Sequence, residues 1–428
     1  MARIHRHREN KAPPARRATV RIDDIGAGGD GVASVDGRRV FTPLTAPGDL
    51  AEIDLSGDRG TLVALLEKGE GRIDAPCRHY GDCGGCALQH VSPDYYRAWK
   101  RRRVIEALAR EGFSDVPVGD TIETPAASRR RAVFAVEKRG GDIQLGFNAR
   151  RSARIARVDG CLILRDELSS RLAALRALAA KIDARAFDLA VTCCDNGLDI
   201  AISGKIEEPR GAALSDLMAA ARAANAVRLS MNGGVLALFA PPVIHLGGVP
   251  VTPPPGGFLQ ASREGEVALI AQVAAAARGA KKIADLFSGC GTFALPLART
   301  ATVFAVDGDR ASIDALAKAA AGAQAAGLAV NPVATEVRDL FERPIMAKAL
   351  NGFDAVVFDP PRAGAAEQAL QIAGSGVKTV IGVSCNPATF ARDAAILASG
   401  GYKLTQATPV DQFVYSPHVE IVGVFKRK

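Results

Sequence analysis

No uninterrupted apolar stretch in the chain approaches the ~20 residues that a membrane span needs, so no membrane partner is expected. The opening residues, MARIHRHRENKAPPARR, are basic but have no apolar core, which argues against a secretory signal. They also lack serine and an amphipathic face, so they fit a transit peptide poorly. These absences point to a cytoplasmic protein whose residues 1–17 form a basic, solvated tail. No internal repeat is apparent. Without an export signal, the eight cysteines do not read as a disulfide framework, and ligation or catalysis becomes their default role.

What is present is ordinary in amount and uneven in place. The 428 residues suffice for two or three domains, with 48% hydrophobic and 23% charged residues. The net charge of +8 favours a polyanionic partner, and it is concentrated in KRRR at 100–103, SRRR at 128–131 and ARRSARIAR at 149–157. Any one such run is commonly a solvated face. Three in one chain favour nucleic acid.

Along the chain, residues 18–56 alternate short β-prone runs with glycine and Pro-Gly turns, which predicts a small antiparallel, OB-like barrel. A cysteine cluster follows, then SPDYYRAWKRRRVIEALAREG, with a Ser-Pro start, helical spacing and a glycine stop. Residues 128–250 mix strand-like runs with alanine-rich helices, and VPVTPPPGGFLQAS at 249–262 reads as a hinge. From 263 onward KKIADLF, TVFAVD, FDAVVFD, VKTVIGVS, YKLTQATPV and VEIVGVFK alternate with helical segments. That alternation predicts an α/β, doubly wound, mostly parallel sheet with ligands at the strands' carboxyl ends.

ADLFSGCGTFALPLA at 284–298 reads as strand, glycine turn and helix, with Gly289 and Gly291 allowing close backbone approach. It lacks the third glycine of a dinucleotide fingerprint, yet Asp307 ends the next strand where a carboxylate suits a ribose diol. A dinucleotide and S-adenosylmethionine both fit this much. The Asp-x-Phe-x-Gly-x-Gly run with its later strand-end acid resembles the first motifs of Rossmann-like methyltransferases. VVFDPPRAG at 356–364 then ends a strand in Asp359 and stiffens the following turn with two prolines, where base-modifying methyltransferases hold a target base.

IGVSCNPATFARD at 381–393 ends a strand on Cys385. A lone cysteine is more often a small buried hydrophobe than a nucleophile. Next to a methyl donor and a base, the chemistry changes that. Carbon 5 of a pyrimidine is too weak a nucleophile until a thiolate adds to carbon 6, and a base must later remove the carbon-5 proton. Glu420, in the otherwise apolar VEIVGVF, is the candidate base, and His418 competes with it.

The stretches DDIGAGGDGVA, CRHYGDCGGCALQH, DLFSGCGTF, DPPRAG, SCNPATFARD and DQFVYSPHVE together resemble the RNA uracil-5 methyltransferase family. The resemblance is to its iron–sulfur, TRAM-bearing branch, and it covers nearly the whole chain. It implies a class I methyltransferase domain at 256–428, a TRAM-like barrel at 18–74, and a central α+β RNA-binding domain at 75–92 and 122–255. A helix at 93–121 would pack on the catalytic domain. It implies Cys385 as nucleophile, Glu420 as base, and Gln260, Phe287, Asp307 and Asp359 as contacts of S-adenosylmethionine. QAS at 260–262 departs from the family's Gln-x-Asn, and Thr292 and Asp307 stand where relatives often have other residues.

Cys77, Cys83 and Cys86, with Cys161 as a fourth candidate, could by spacing hold zinc or an iron–sulfur cluster. The resemblance implies a 4Fe–4S cluster at these four positions, with a structural role. Cys193, Cys194 and Cys290 are expected to be buried thiols. The implied activity is methylation of a uridine in RNA by a monomeric enzyme. Large-subunit (23S) rRNA is favoured over the tRNA T-loop, because the bacterial tRNA branch usually lacks both barrel and cysteine site. The alternative outside catalysis is an RNA-binding protein with a decayed methyltransferase site.

Overall fold

In the computed structural model, residues 16–427 are described, so most of the predicted basic tail lies outside the described residues. Arg16 and Arg17 already belong to the first strand. The described residues divide into a smaller unit, formed by 16–81 with 86–99 and 415–417, and a larger unit containing the rest.

In the smaller unit, the glycine-punctuated runs form a six-stranded sheet. Arg16–Arg21 pairs with Leu50–Ser56, which pairs with Arg59–Glu67; Arg38–Thr42 then leads through Gly31–Val35 to Asp24–Ile25. All pairings are antiparallel except a single parallel bridge between Phe41 and Arg59. Period-two alternation sends Val20, Ile22, Val40, Ile53 and Leu55 into one core. A second cluster gathers Ile25, Leu88, Tyr96 and Trp99, and the Trp99 indole N–H donates to the Ile25 carbonyl at 2.9 Å.

The larger unit contains three sheets, one of them only a two-stranded ribbon of Ile244–Leu246 and Val249–Val251. The first has seven strands, in the spatial order Ile155–Arg157, Asp142–Asn148, Arg131–Arg139, Ala186–Cys194, Gly197–Ser203, Ala226–Met231 and Gly234–Leu238. Helices Leu172–Ala180 and Gly211–Ala223 bury Leu172, Leu175, Leu178, Leu217 and Ala221 in the same core as Phe134, Leu189 and Ile200.

The second sheet carries the site. Its strands are β1 (Lys282–Leu286), β2 (Thr302–Asp307), β3 (Val333–Val337), β4 (Ala355–Phe358), β5 (Thr379–Ser384), β6 (Lys403–Asp411) and β7 (Glu420–Lys426). Their order is β3-β2-β1-β4-β5-β7-β6, with the short strand Ile122–Glu123 parallel to β6 at the edge. β1 to β5 are parallel, and β7 runs antiparallel to both β5 and β6. The order reverses between β1 and β4, the place where an open α/β sheet leaves a crevice for ligands. The expected mostly parallel, doubly wound sheet is therefore present. β3, formed by VATEV, has no counterpart among the expected strands; it is only half buried, so its apolar signal is weak. Apolar residues cover both faces: Ile283, Val357 and Ile381 enter one core, and Leu286, Val356 and Val380 the other.

Candidate active site

The turn after β1 bends sharply. Gly289 and Gly291 have φ of +52° and +98°, and a Cβ on Gly291 would stand 2.5 Å from Leu316. Phe287 takes φ +64° without being glycine and packs against Phe341 with centroids 5.5 Å apart. Strain of this kind concentrates where a ligand is held. Asp307, at the end of β2, accepts from the Gly289 N–H at 2.9 Å and from the Asp309 N–H at 2.8 Å. The same carboxylate that would meet a ribose thus also braces the glycine turn. Beneath it, Asp285 is fully buried, and neither of its oxygens has a hydrogen-bond partner. Burial, with the nearby Asp359 and Asp307 charges, raises its pKa well above the usual carboxylate range.

β4 ends at Phe358, which brings Asp359 to the crevice, and the Pro-Pro turn leads to exposed Arg362. β5 ends at Ser384, and Asn386 already caps the following helix, Pro387–Ser399, by accepting from the Ala388 N–H at 3.1 Å. Cys385 is the single residue between them. The Asn386 side chain also donates to the Arg362 carbonyl at 3.0 Å, and the Thr389 hydroxyl donates to it at 3.3 Å. The DPPR turn and the cysteine turn are thereby tied together.

Glu420 opens β7 and is 4% exposed. Its Oε1 accepts from Gln412 Nε2 at 2.9 Å, and that same amide donates to Gln260 Oε1 at 2.6 Å. Gln260 Nε2 in turn donates to Asp359 Oδ2 at 3.2 Å. Burial first, and then the Asp359 charge, raise the Glu420 carboxyl to about 8; Gln412, Lys100 and Arg362 oppose the rise. Burial likewise raises Asp359 to about 7. The half-buried Cys385 thiol is pushed up to about 11 by burial and by the Glu420 and Asp359 charges, against Arg362. His418 moves the other way, down to about 4, because of burial and the surrounding Arg362, Lys100, Arg103 and Arg129. In its ionised form, Glu420 is the stronger base of the two candidates, and that form gains population as pH rises toward 8.

Five of the residues singled out from sequence, Cys385, Glu420, Asp359, Gln260 and His418, thus stand in one electrostatic neighbourhood, with Phe287 and Asp307 at the adjoining strand ends. Sequence reasoning missed Gln412, although it lies inside the quoted DQFVYSPHVE. One cation in each of two basic runs also turns inward, which the runs did not disclose. Lys100 is fully buried; its ammonium lies 2.8 Å from Asp411, itself 2% exposed, and also donates to the His418 carbonyl. Arg130 is buried against Glu266 and donates to the Gln260 carbonyl at 3.0 Å. These cations organise the protein interior, because a buried acid required a partner.

The four cluster candidates, Cys77, Cys83, Cys86 and Cys161, are each partly exposed. Among the described residues, no three His, Cys, Asp or Glu side chains are grouped as a metal site. The geometry therefore gives the expected cluster no support, and no chemistry is routed through it. Burial raises Cys193 and Cys194 to about 12 and Cys290 to about 11; Cys193 and Cys290 are buried, and Cys194 retains partial exposure. Among the described residues, no helix is long and apolar enough to cross a membrane.

Comparison with known proteins gives the family and the fold. Residues 256–428 match the family model described as tRNA (uracil-5-)-methyltransferase. An uncharacterised RNA methyltransferase of Rhizobium meliloti is 44% identical over 418 residues, covering 96% of this chain and 99% of that protein. The 23S rRNA (uracil(1939)-C(5))-methyltransferase of Chromohalobacter salexigens is 31% identical, covering 95% of this chain and 88% of that protein. The structure of Pyrococcus abyssi tRNA (uracil-54, C5)-methyltransferase with S-adenosyl-L-homocysteine superposes with a TM-score of 0.74. At 23% identity, over 95% of this chain and 99% of that one, it shows the shared class I methyltransferase fold.

Proposed function

The chain belongs to the RNA uracil-5 methyltransferase family, whose methyl donor is S-adenosylmethionine, and from that premise we propose that it methylates carbon 5 of a uridine in large-subunit rRNA through Cys385 and Glu420. The observation that carries the reading is a buried hydrogen-bond chain from Glu420 through Gln412 and Gln260 to Asp359, with Cys385 directly following Ser384, which pairs with Ile421 beside Glu420.

S-adenosylmethionine supplies an electrophilic methyl group. Gln260, Phe287, Asp307 and Asp359 line the strand ends where it would lie. Asp359 and the rigid Pro360-Pro361 turn hold the base beside it. Cys385, partly exposed, gives its proton to water, its thiolate forms a bond to carbon 6, and the π electrons of the 5,6 double bond move into the carbonyl at carbon 4 as an enolate. Carbon 5 then takes the methyl group, with the sulfonium leaving as a neutral thioether. Glu420 accepts the proton from carbon 5; the double bond re-forms, and the bond from carbon 6 to Cys385 breaks. A thiol raised to about 11 is protonated when no RNA is bound. Arg362 is the cation placed to favour the thiolate as the base arrives.

The rRNA assignment is supported by the 31% relative over nearly the whole chain. The family model's description favours tRNA as the second reading. Nucleoside mass spectrometry of both RNAs from a strain lacking the gene separates them: 5-methyluridine missing from 23S rRNA supports the first, and missing from tRNA alone the second. We further assign 18–74 to a TRAM-like, OB-like barrel, 75–92 with 122–255 to RNA binding, and 256–428 to methyl transfer in a monomer. The 4Fe–4S cluster at Cys77, Cys83, Cys86 and Cys161 rests on sequence resemblance alone, as a structural element.

A further inference from the structure

The orientation of one buried side chain, Gln412, follows from its three hydrogen bonds. Its Oε1 accepts from the Ala261 backbone N–H at 3.0 Å, a donor fixed by the chain. The amide nitrogen must therefore face the other way, where Glu420 Oε1 lies at 2.9 Å and Gln260 Oε1 at 2.6 Å. An inverted amide would set oxygen against both acceptors. Gln260, accepting through its oxygen, is left with its nitrogen directed at Asp359 Oδ2, 3.2 Å away. One backbone N–H thus sets the direction of a chain of donors that ends on both carboxyls of the site. It occupies Oε1 of Glu420 and leaves Oε2 for the substrate's proton.

We propose that Gln412 is a positioning residue for the base, selecting the oxygen of Glu420 that receives the carbon-5 proton and favouring the ionised form of that carboxyl. The inference rests on the reading of Glu420 as the base. The charged and titratable groups facing Glu420 are Asp359, which disfavours its ionisation, Lys100 and Arg362, which favour it, and the Cys385 thiol. Gln412 is the uncharged donor among them. A hydrogen bond to the ionised form lowers a carboxyl's pKa, so removing it moves the base limb of the pH profile to higher pH.

The test measures tritium release from RNA carrying [5-³H]uridine, as a function of pH, for the wild type, Gln412→Met, Gln412→Glu and Glu420→Gln. Gln412→Met keeps the volume but loses both functions of the amide. Gln412→Glu keeps an acceptor for Ala261 N–H, loses the amide donor and adds a carboxyl beside Glu420, which disfavours its ionisation further. Gln412→Met is expected to move the limb upward by about one unit and Gln412→Glu by at least as much, slowing release on the order of tenfold or more at pH 6.5 and recovering at high pH. Recovery at high pH is something a purely structural defect would not show. If Gln412→Met is impaired while Gln412→Glu matches the wild type, the side chain merely braces Ala261 and the proposal fails. It also fails if the limb stays in place in both variants while Glu420→Gln stalls. Normal tritium release by Glu420→Gln would instead remove the base assignment on which the inference stands.

Discussion

Glu420→Gln separates the two halves of the proposed reaction. The amide keeps the carboxyl's shape and can still accept from Gln412 Nε2, which lies 2.9 Å from the native oxygen, but it cannot take a proton from carbon 5. General-base removal is worth about 10²–10⁴-fold, and turnover should fall by that factor. Thiolate addition and methyl transfer do not need the base, so the enzyme should accumulate as a covalent adduct of Cys385 with methylated RNA. Folding should not suffer. Glu420 is 4% exposed, and its pKa is raised from 4.5 to about 8 by burial and Asp359. A raised pKa contributes stability below the unfolded value of about 4.5, and that contribution is lost as pH rises through about 8. Relative to the wild type, the variant should therefore become more heat-resistant between pH 5 and 9. The assay is a denaturing gel with labelled RNA, beside a melting series over that range. The target base must leave its stack, at a cost of a few kcal/mol in a duplex and less in a loop, so a loop substrate should trap best. Normal turnover by Glu420→Gln, or an adduct trapped by His418→Ala instead, would refute the assignment.

Other expectations follow from the same geometry. Cys385→Ala should abolish methyl transfer while retaining S-adenosylmethionine binding by calorimetry; residual turnover would exclude covalent catalysis at this position. Lys100→Met leaves Asp411 buried without its cation and should cost ~3–5 kcal/mol in chemical denaturation. Adding Asp411→Asn should recover most of that loss, and strict additivity of the two changes would argue against the pair. Asp285→Asn removes an acid with a strongly raised pKa and no hydrogen-bond partner. Its wild-type contribution to stability is present at low pH and lost as pH rises, so the variant should gain more melting temperature at pH 8 than at pH 4.5. Iron and sulfide in anaerobically purified protein test the four-cysteine assignment, and zinc without iron would overturn it.

Much of the catalytic sheet was legible because six of its eight strands are runs of β-branched and apolar residues between turn signals, the two-residue Ile122–Glu123 being too short to show one. VATEV escaped because it is half exposed and carries a glutamate, Glu336. Glu420 and Cys385 stood out for a physical reason: an acid in an apolar strand and a thiol at a strand end contradict their surroundings. Gln412 carried no such contradiction, since a glutamine after a strand is ordinary until its three partners, distant in sequence, converge on it. The burial of Lys100 stayed hidden for the opposite reason. A basic run looks solvated when its counter-ion, Asp411, lies 311 residues away along the chain.

The central claim is that this chain makes 5-methyluridine in RNA through a bond to Cys385, and trapping with 5-fluorouridine tests it most directly. Fluorine at carbon 5 cannot be removed as a proton, so the wild-type enzyme should halt as a ternary product with S-adenosylmethionine and 5-fluorouridine-substituted 23S rRNA fragments. After nuclease and protease digestion, mass spectrometry should find one modified peptide, containing Cys385, that carries a methylated fluorouridine nucleotide. A methylated adduct on another cysteine, or methylated RNA with no adduct at all, would contradict the account.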